Sequence, residues 1–279
     1  MPARRRTVLL RAKAFVGRRY RLRLWACRCA RLAASVFPRW AAAGALADRL
    51  AFVRSVYGPY LLNTPGDRTF RLCVEGYNGF ISGAIAGRDC PFLFLDIGAN
   101  LGLFSLLAAA NPRCERAVAI EPLPAIFARL EANLRRNRAG NVEPVRGAIA
   151  AVTAPLVHLT FDRRHSGMAR VVAPEAGRVT ARALPAAVLD DLLPAAALPI
   201  LAKIDVEGSE VEVMTVLRQC RFYGAVEEIL IEVSERNLGR ERRAALLAML
   251  AGDGFVELGR AGPAEHYDAR FARRGGHMN

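Results

Sequence analysis

Four residues between two apolar runs have the chemistry of a small-molecule grip. In "FLFLDIGANLGLFSLL", residues 92–107, Asp96, Gly98, Asn100 and Gly102 interrupt what otherwise reads as a buried strand followed by a buried helix. A strand that turns on glycines into a helix offers a ligand backbone N–H groups and close backbone approach. The dinucleotide form of this device needs G-x-G-x-x-G, so that a pyrophosphate can lie against bare backbone. Here the order is G-x-N-x-G, and Asp96 sets a negative charge where a diphosphate would be repelled. A cofactor with a cationic amino-acid end and no phosphate fits better, which points to S-adenosylmethionine. Glu121, 25 residues after Asp96 and followed by Pro122, ends the next strand-like run. An acid there can accept hydrogen bonds from both ribose hydroxyls. Singly, Asp96 reads equally well as a helix cap and Glu121 as a solvated strand end. Taken together, the expected cofactor set is Asp96, Gly98, Asn100, Gly102, Glu121 and Pro122, with Ala148 at the end of a third run.

A second charged group sits in "LPILAKIDVEGSE". In an extended segment alternate residues share a face, which puts Lys203, Asp205 and Glu207 together. Three ionisable groups on one side of a central strand are costly to bury unless paired or functional, so they are expected to rim a crevice. Only two of the forty basic residues are lysines, Lys13 and Lys203, so a lysine at this position suggests that size or titratability matters. The alternative is a Lys203–Asp205 ion pair that stiffens the strand. Asp205 is also placed in the cofactor set. If a hydroxyl is to be methylated its proton must leave, and Asp205 or Glu207 is the expected base, with Lys203 setting its charge state. His165, in the "RRHSGMARV" segment read as a loop, is the outsider for that role. No metal ligand is assigned; a magnesium ion shared by Asp205, Glu207 and Glu232 is compatible with the spacing but not indicated by it.

The elements that must position these groups alternate. Strand-like runs lie at 92–97, 116–121, 141–149, 199–206 and 227–233, with helical stretches at 102–110, 124–137, 208–220 and 240–251. Near-continuous apolar strands between helices predict a parallel α/β sheet covered on both faces. "LVHLTFD" and "RVTARAL" read as an edge hairpin or insertion, and "GFVELGR" with "HYDARFARR" as an antiparallel pair closing the sheet. In such sheets the ligand crevice lies beyond the carboxyl ends of the strands. Acids stand at those ends: Asp96, Glu121, Asp205, Glu207 and Glu232.

At 279 residues the chain suits one ordinary domain and an appendage, and the expected organisation is a basic helical N-terminal extension over 1–60, a lead-in over 61–90 and the ligand-binding domain over 91–279. Residues 1–40 hold eleven arginines, Lys13 and no acid, so this arm accounts for +12 of the net charge of +14. Arginine mixed with Leu, Tyr and Trp in "RRYRLRLWACRCARL" reads first as a solvated helix, with peripheral contact with an anionic membrane as the functional alternative. No recognition motif accompanies the charge, so specific nucleic-acid binding is not expected. No apolar run reaches the roughly 18–20 residues of a membrane span, and no signal-peptide core follows the first arginines. Six scattered cysteines without C-x-x-C spacing suit a reduced compartment, and a cytoplasmic protein is the expectation.

Together the motifs resemble the FkbM-type S-adenosylmethionine-dependent methyltransferases. The resemblance runs over about residues 70–260 and rests on Asp96 through Gly102, Glu121-Pro122, Leu130 with Asn133, Leu189-Asp190, Lys203 through Glu210, and Glu232. Leu123 departs from it, standing where asparagine is frequent. It implies a Rossmann-like class I methyltransferase fold, a mostly parallel seven-stranded sheet with an antiparallel C-terminal strand. It also implies methyl transfer to a hydroxyl on a sugar, glycan or small natural-product acceptor. Two rivals remain, an NAD-binding oxidoreductase, disfavoured by Asp96 and the missing G-x-G-x-x-G, and a catalytically idle module that binds a membrane surface. Oligomeric state is not legible.

Overall fold

The computed structural model describes residues 19–30, 32, 50–150, 155–162, 164–193 and 198–275. The chain divides into two compact units, Met1–Tyr77 and Asn78–Asn279. That division falls inside the expected 61–90 lead-in rather than at either of its ends.

In the first unit a helix over 19–30 (α1) buries Tyr20, Cys27 and Ala30, at the spacing of one helical face. The Arg23 guanidinium donates to the carbonyls of Leu50 and Phe52. The sequence reads mostly as helix over 7–60, ending at Gly58-Pro59. Much of that range lies outside the described residues, and within it Phe52–Arg54 (β1) is a strand paired antiparallel with Tyr60–Leu62 (β2). The reason is the Gly58-Pro59 turn, in which Gly58 takes φ 108°. Helix α2, Arg68–Glu75, starts at Asp67, whose side chain accepts from the Thr69 N–H at 3.0 Å, and stops at Gly76 in the left-handed region.

The second unit begins with α3, Gly79–Ala86, and is built on a seven-stranded sheet. Its strands are β3 (Phe92–Ile97), β4 (Cys114–Glu121), β5 (Val142–Arg146), β10 (Ile200–Ile204), β11 (Val226–Ser234), β12 (Phe255–Ala261) and β13 (His266–Arg273). The spatial order is β12-β13-β11-β10-β3-β4-β5. Neighbours β11, β10, β3, β4 and β5 pair in parallel, whereas β13 runs antiparallel to both β11 and β12. This is the arrangement expected from the sequence. Order reverses between β3 and β10, so the carboxyl ends of these two strands mark the switch point where such sheets bind ligands. Strands β3 and β10 are buried along nearly their whole length, consistent with cover on both faces.

The helices between these strands include α4 (Leu103–Ala110), α5 (Pro124–Asn137), α6 (Ala186–Leu192), α7 (Glu210–Leu217), α8 (Glu235–Leu238) and α9 (Arg240–Gly252). Among the described residues of this unit a large cluster of apolar side chains joins Leu95, Ile97, Ile120, Ile204, Ile231 and Leu250 around the sheet.

Two sequence readings need correction. The run 141–149 is not one strand: β5 ends at Arg146, and Ala148–Ile149 (β6) leaves the main sheet to pair in parallel with β9, Val179–Leu184. The break is at Gly147, where an added Cβ would lie 2.7 Å from Leu184 and 2.9 Å from the Arg182 carbonyl. Pro144 is tolerated because β5 is an edge strand. Of the edge hairpin or insertion expected of "LVHLTFD" and "RVTARAL", the structure shows the insertion: a separate sheet of β6, β9, β7 (Leu156–Asp162) and β8 (His165–Val172), in which β7 pairs antiparallel with β9 and β8 comes between those two in sequence. His165 therefore lies in a strand, not in a loop.

Candidate functional site

The turn after β3 is held by alternating left-handed residues: Gly98 at φ 79°, Asn100 at 49° and Gly102 at 80°. Two of these positions exclude a side chain. A Cβ on Gly98 would come within 1.9 Å of the Asp205 carbonyl oxygen, and one on Gly102 within 2.4 Å of Leu130. Asn133, fully buried one turn further along α5, donates to the Leu101 carbonyl at 2.8 Å. The L-x-x-N pair thus packs under the loop and braces it.

Glu121 fixes the loop from the next strand. Its Oε2 accepts from the Asn100 N–H and its Oε1 from the Leu123 N–H, both at 2.9 Å. It is buried, and burial pushes its carboxyl up to about 7 even though those two hydrogen bonds and the Lys203 charge pull the other way. Pro122 precedes the first turn of α5, and Pro124 opens that helix. The Gly147 N–H donates to the Glu121 carbonyl at 3.3 Å, which sets Ala148 one residue from this corner, in β6 rather than at a tip of the main sheet.

Asp96 and Lys203 are directly opposite each other in the β3–β10 pairing, and both are buried. The Lys203 ammonium lies 3.3 Å from Asp96 and 3.7 Å from Asp205 and donates to the Gly98 carbonyl at 2.7 Å. Burial pulls the Lys203 ammonium down, but Asp96, Asp205 and Glu121 outweigh it, so its pKa is raised and it stays charged. Ser105 donates to the second Asp96 oxygen at 2.6 Å. This corrects two expectations. Lys203 does not rim the crevice but sits 2% exposed beneath it, and its closest carboxylate is that of Asp96, not Asp205. Nor is the Asp96 carboxylate open to solvent, so its charge is met from within the protein.

Asp205 and Glu207 stay nearer the surface, whereas Glu232 is buried. β10 ends at Ile204, and the Asp205 N–H donates to the Ile97 carbonyl at 3.1 Å, tying the two strand ends together. Glu207 takes φ 54°, left-handed for a residue with a side chain, followed by Gly208 at φ 109°. Its carboxylate accepts from Asn237 at 2.9 Å, and Asn237 in turn accepts from Arg170 at 2.6 Å. Carboxylate oxygens of Asp205, Glu207 and Glu232 come within 4.8 Å of one another. Burial followed by the Asp205 charge raises Glu207 to about 7; burial followed by Asp205, Glu207, Glu210 and Asp268 raises Glu232 to about 9. Asp268, opposite Glu232 on β13, is lifted to about 7 by burial and Asp205. Sequence reading missed Asn237, Arg170, Asp268 and Ser166, whose hydroxyl lies 3.3 Å from the Asn100 side-chain oxygen. No motif contains them, and each reaches the site through a contact distant in sequence.

A doubly covered parallel sheet with a braced glycine turn at its switch point and acids at its strand ends defines a Rossmann-like nucleoside-cofactor enzyme. Residues 96–259 match the Methyltransferase FkbM domain, and the chain belongs to that methyltransferase family. A curated relative, AMB antimetabolite synthetase AmbE of Pseudomonas aeruginosa, is 60% identical over 42 residues, which is 15% of this chain and 2% of that protein. The similar solved structures include a precorrin-6y C5,15-methyltransferase from Geobacter metallireducens, at 18% identity and TM-score 0.40, covering 69% of this chain and 85% of that one. Another is M. jannaschii TYW2 in complex with AdoMet, at 14% identity and TM-score 0.43, covering 80% and 85%. No described helix is long and apolar enough to cross a membrane.

Proposed function

We propose that this protein methylates a hydroxyl group on a sugar, glycan or small natural-product acceptor. The observation that carries the reading is the acid cluster at the switch point: carboxylates of Asp205, Glu207 and Glu232 gathered beside the loop that Glu121 braces. The residues present suit S-adenosylmethionine. Gly98 and Gly102 let the loop turn close against Asp205 and Leu130, Asn100 presents an amide, and each Glu121 oxygen keeps a lone pair beyond the N–H bond it accepts. When bound, S-adenosylmethionine supplies a methyl group already activated on a sulfonium.

What the chain must add is alignment of the acceptor and removal of its proton. In this reading Asp96, Gly98, Asn100, Gly102, Glu121, Pro122 and Ala148 form the cofactor side. Asp205 lies at the junction of cofactor and acceptor. Asp205 or Glu207 takes the hydroxyl proton, and a carboxyl near 7 such as that of Glu207 is well matched to that work at neutral pH. Lys203 acts from below, holding the Asp205 carboxylate and the Gly98 carbonyl in one place. His165, in β8, is left out of the proton path.

For the N-terminal arm we propose contact with an anionic lipid surface. Leu22 and Trp25 are 65% and 66% exposed on α1, one turn apart and beside the exposed Arg21 and Arg28.

The test of the main reading is transfer of label from methyl-labelled cofactor into a panel of glycans and hydroxylated natural products, with the methyl position read by mass spectrometry. O-methyl product from the wild type, lost in the Asp205→Ala, Glu207→Ala double variant, supports it. Label only on nitrogen or carbon, or equal incorporation by the double variant, refutes it.

A further inference from the structure

We propose that Asp205, Glu207 and Glu232 form a binding site for one hard divalent cation of the Mg2+, Mn2+ and Ca2+ class. The inference rests on the methyl-transfer reading and deepens it, because the cation would stand where the acceptor oxygens must be held.

Two elements deliver these carboxylates, the turn that follows β10 and strand β11. Asp205 is fixed at the end of β10 by its N–H bond to Ile97. Glu207 is held in a left-handed conformation and by the Asn237–Arg170 relay. Such a conformation is unfavourable for a glutamate and persists only where the surroundings enforce it. Glu232 comes from the last turn of the β11 ladder, two residues before Ser234.

Glu232 gives the independent sign of a missing ligand. It is 7% exposed, and its buried Oε2 has no hydrogen-bond partner. The other oxygen faces His266 Nδ1 at 3.3 Å. Leaving a buried acceptor unsatisfied costs about 1–3 kcal/mol, more for a charged one. The residue directly across the ladder is Asp268, another acid, and like groups facing each other on an antiparallel pair are destabilising. Lys203, 3.7 Å from Asp205, is shared with Asp96 and the Gly98 carbonyl, and the Arg170 guanidinium is bonded to Asn237. A metal ion would meet the orphaned oxygen and screen the facing acids at once.

Size and donor type select the class of ion. Oxygens on opposite sides of a Ca2+ ion at its usual 2.3–2.6 Å lie about 4.6–5.2 Å apart, and those around Mg2+ about 4.0–4.2 Å. The observed separations, all within 4.8 Å, already suit Ca2+ and need a small contraction for Mn2+ or Mg2+. Three carboxylates without sulfur suit hard cations over zinc or copper. Three protein ligands also leave coordination positions for water and for the oxygens of an acceptor that carries neighbouring hydroxyls.

The test is titration of the chelator-treated full chain with Mn2+, followed by electron paramagnetic resonance, with Mg2+ and Ca2+ as competitors. One Mn2+ per chain is expected, displaced by Mg2+ or Ca2+, and weakened roughly tenfold or more by Glu232→Gln and by Glu207→Gln. Glu212→Gln, an exposed acid paired with Arg242, is expected to bind within about twofold of wild type. Absence of a stoichiometric site below about 1 mM Mn2+ overturns the proposal, as does unchanged Mn2+ affinity in both glutamine variants. S-adenosylhomocysteine is titrated into the same samples. Its retention when Mn2+ fails to bind removes the cation alone, whereas its failure to bind to wild type removes the methyl-transfer reading whatever Mn2+ does.

Discussion

Replacing Gly98 with alanine tests the joint between the cofactor loop and the acid-bearing strand end. The new Cβ would stand 1.9 Å from the Asp205 carbonyl oxygen and 3.0 Å from its carbon, where ordinary contact needs more than 3 Å. One side must retreat by more than an ångström. Neither is free to do so, because the Asp205 N–H is bonded to the Ile97 carbonyl and the Lys203 ammonium to the Gly98 carbonyl. Holding alanine in the left-handed region costs about 1–2 kcal/mol and the overpacking about 1–3 kcal/mol more. The expected loss is therefore about 2–5 kcal/mol, or a fall in Tm of roughly 5–15 °C for a unit of this size. Gly140→Ala is the control, since nothing lies within 4 Å of its Cβ position. Thermal unfolding and calorimetric titration of S-adenosylhomocysteine on both variants decide the matter. A Gly98→Ala protein that melts within about 1 °C of wild type and binds the cofactor product unchanged would refute the reasoning.

Lys203→Met strips the buried Asp96 of its cation at 3.3 Å, and urea unfolding should show a loss of about 3–5 kcal/mol, the usual cost of breaking a buried pair. Glu121 carries a folded-state pKa of about 7, above its ordinary value near 4.5, so the stability it contributes is full below pH 4.5 and is lost as pH rises through 7. Wild-type Tm should accordingly fall more between pH 5 and pH 8 than that of Glu121→Gln; parallel curves would count against the buried carboxyl. Serine at both Leu22 and Trp25 should lower co-flotation with anionic vesicles several-fold while leaving S-adenosylhomocysteine affinity within about twofold, because the substituted side chains are exposed.

The elements that were legible are those whose burial is continuous or whose ends carry punctuation. The apolar run 92–97 coincides with β3, and 124–137 with α5, where Pro124 marks the start. By contrast β8 was missed, since "HSGMARVV" mixes Gly, Ser, Met and Arg and is only half-buried in a small side sheet. The break of 141–149 escaped because Gly147 is required by a close approach to Leu184, a residue 37 positions away. In the site, the glycine loop and the two acid-bearing strand ends were readable from residue type and spacing. The alternation that grouped Lys203, Asp205 and Glu207 was not sound, because the strand stops at Ile204 and Glu207 turns left-handed. Asp205 and Glu207 meet again only through that turn, and Lys203 belongs to Asp96 through strand register, which a local pattern cannot express.

The central claim is that the braced loop after β3 receives a cationic, phosphate-free nucleoside cofactor. Parallel calorimetric titrations of S-adenosylhomocysteine and NADH into the full chain address it most directly. The account predicts saturable one-to-one binding of S-adenosylhomocysteine, abolished in Glu121→Ala, and no heat of binding for NADH. Saturable binding of NADH with none of S-adenosylhomocysteine would contradict it.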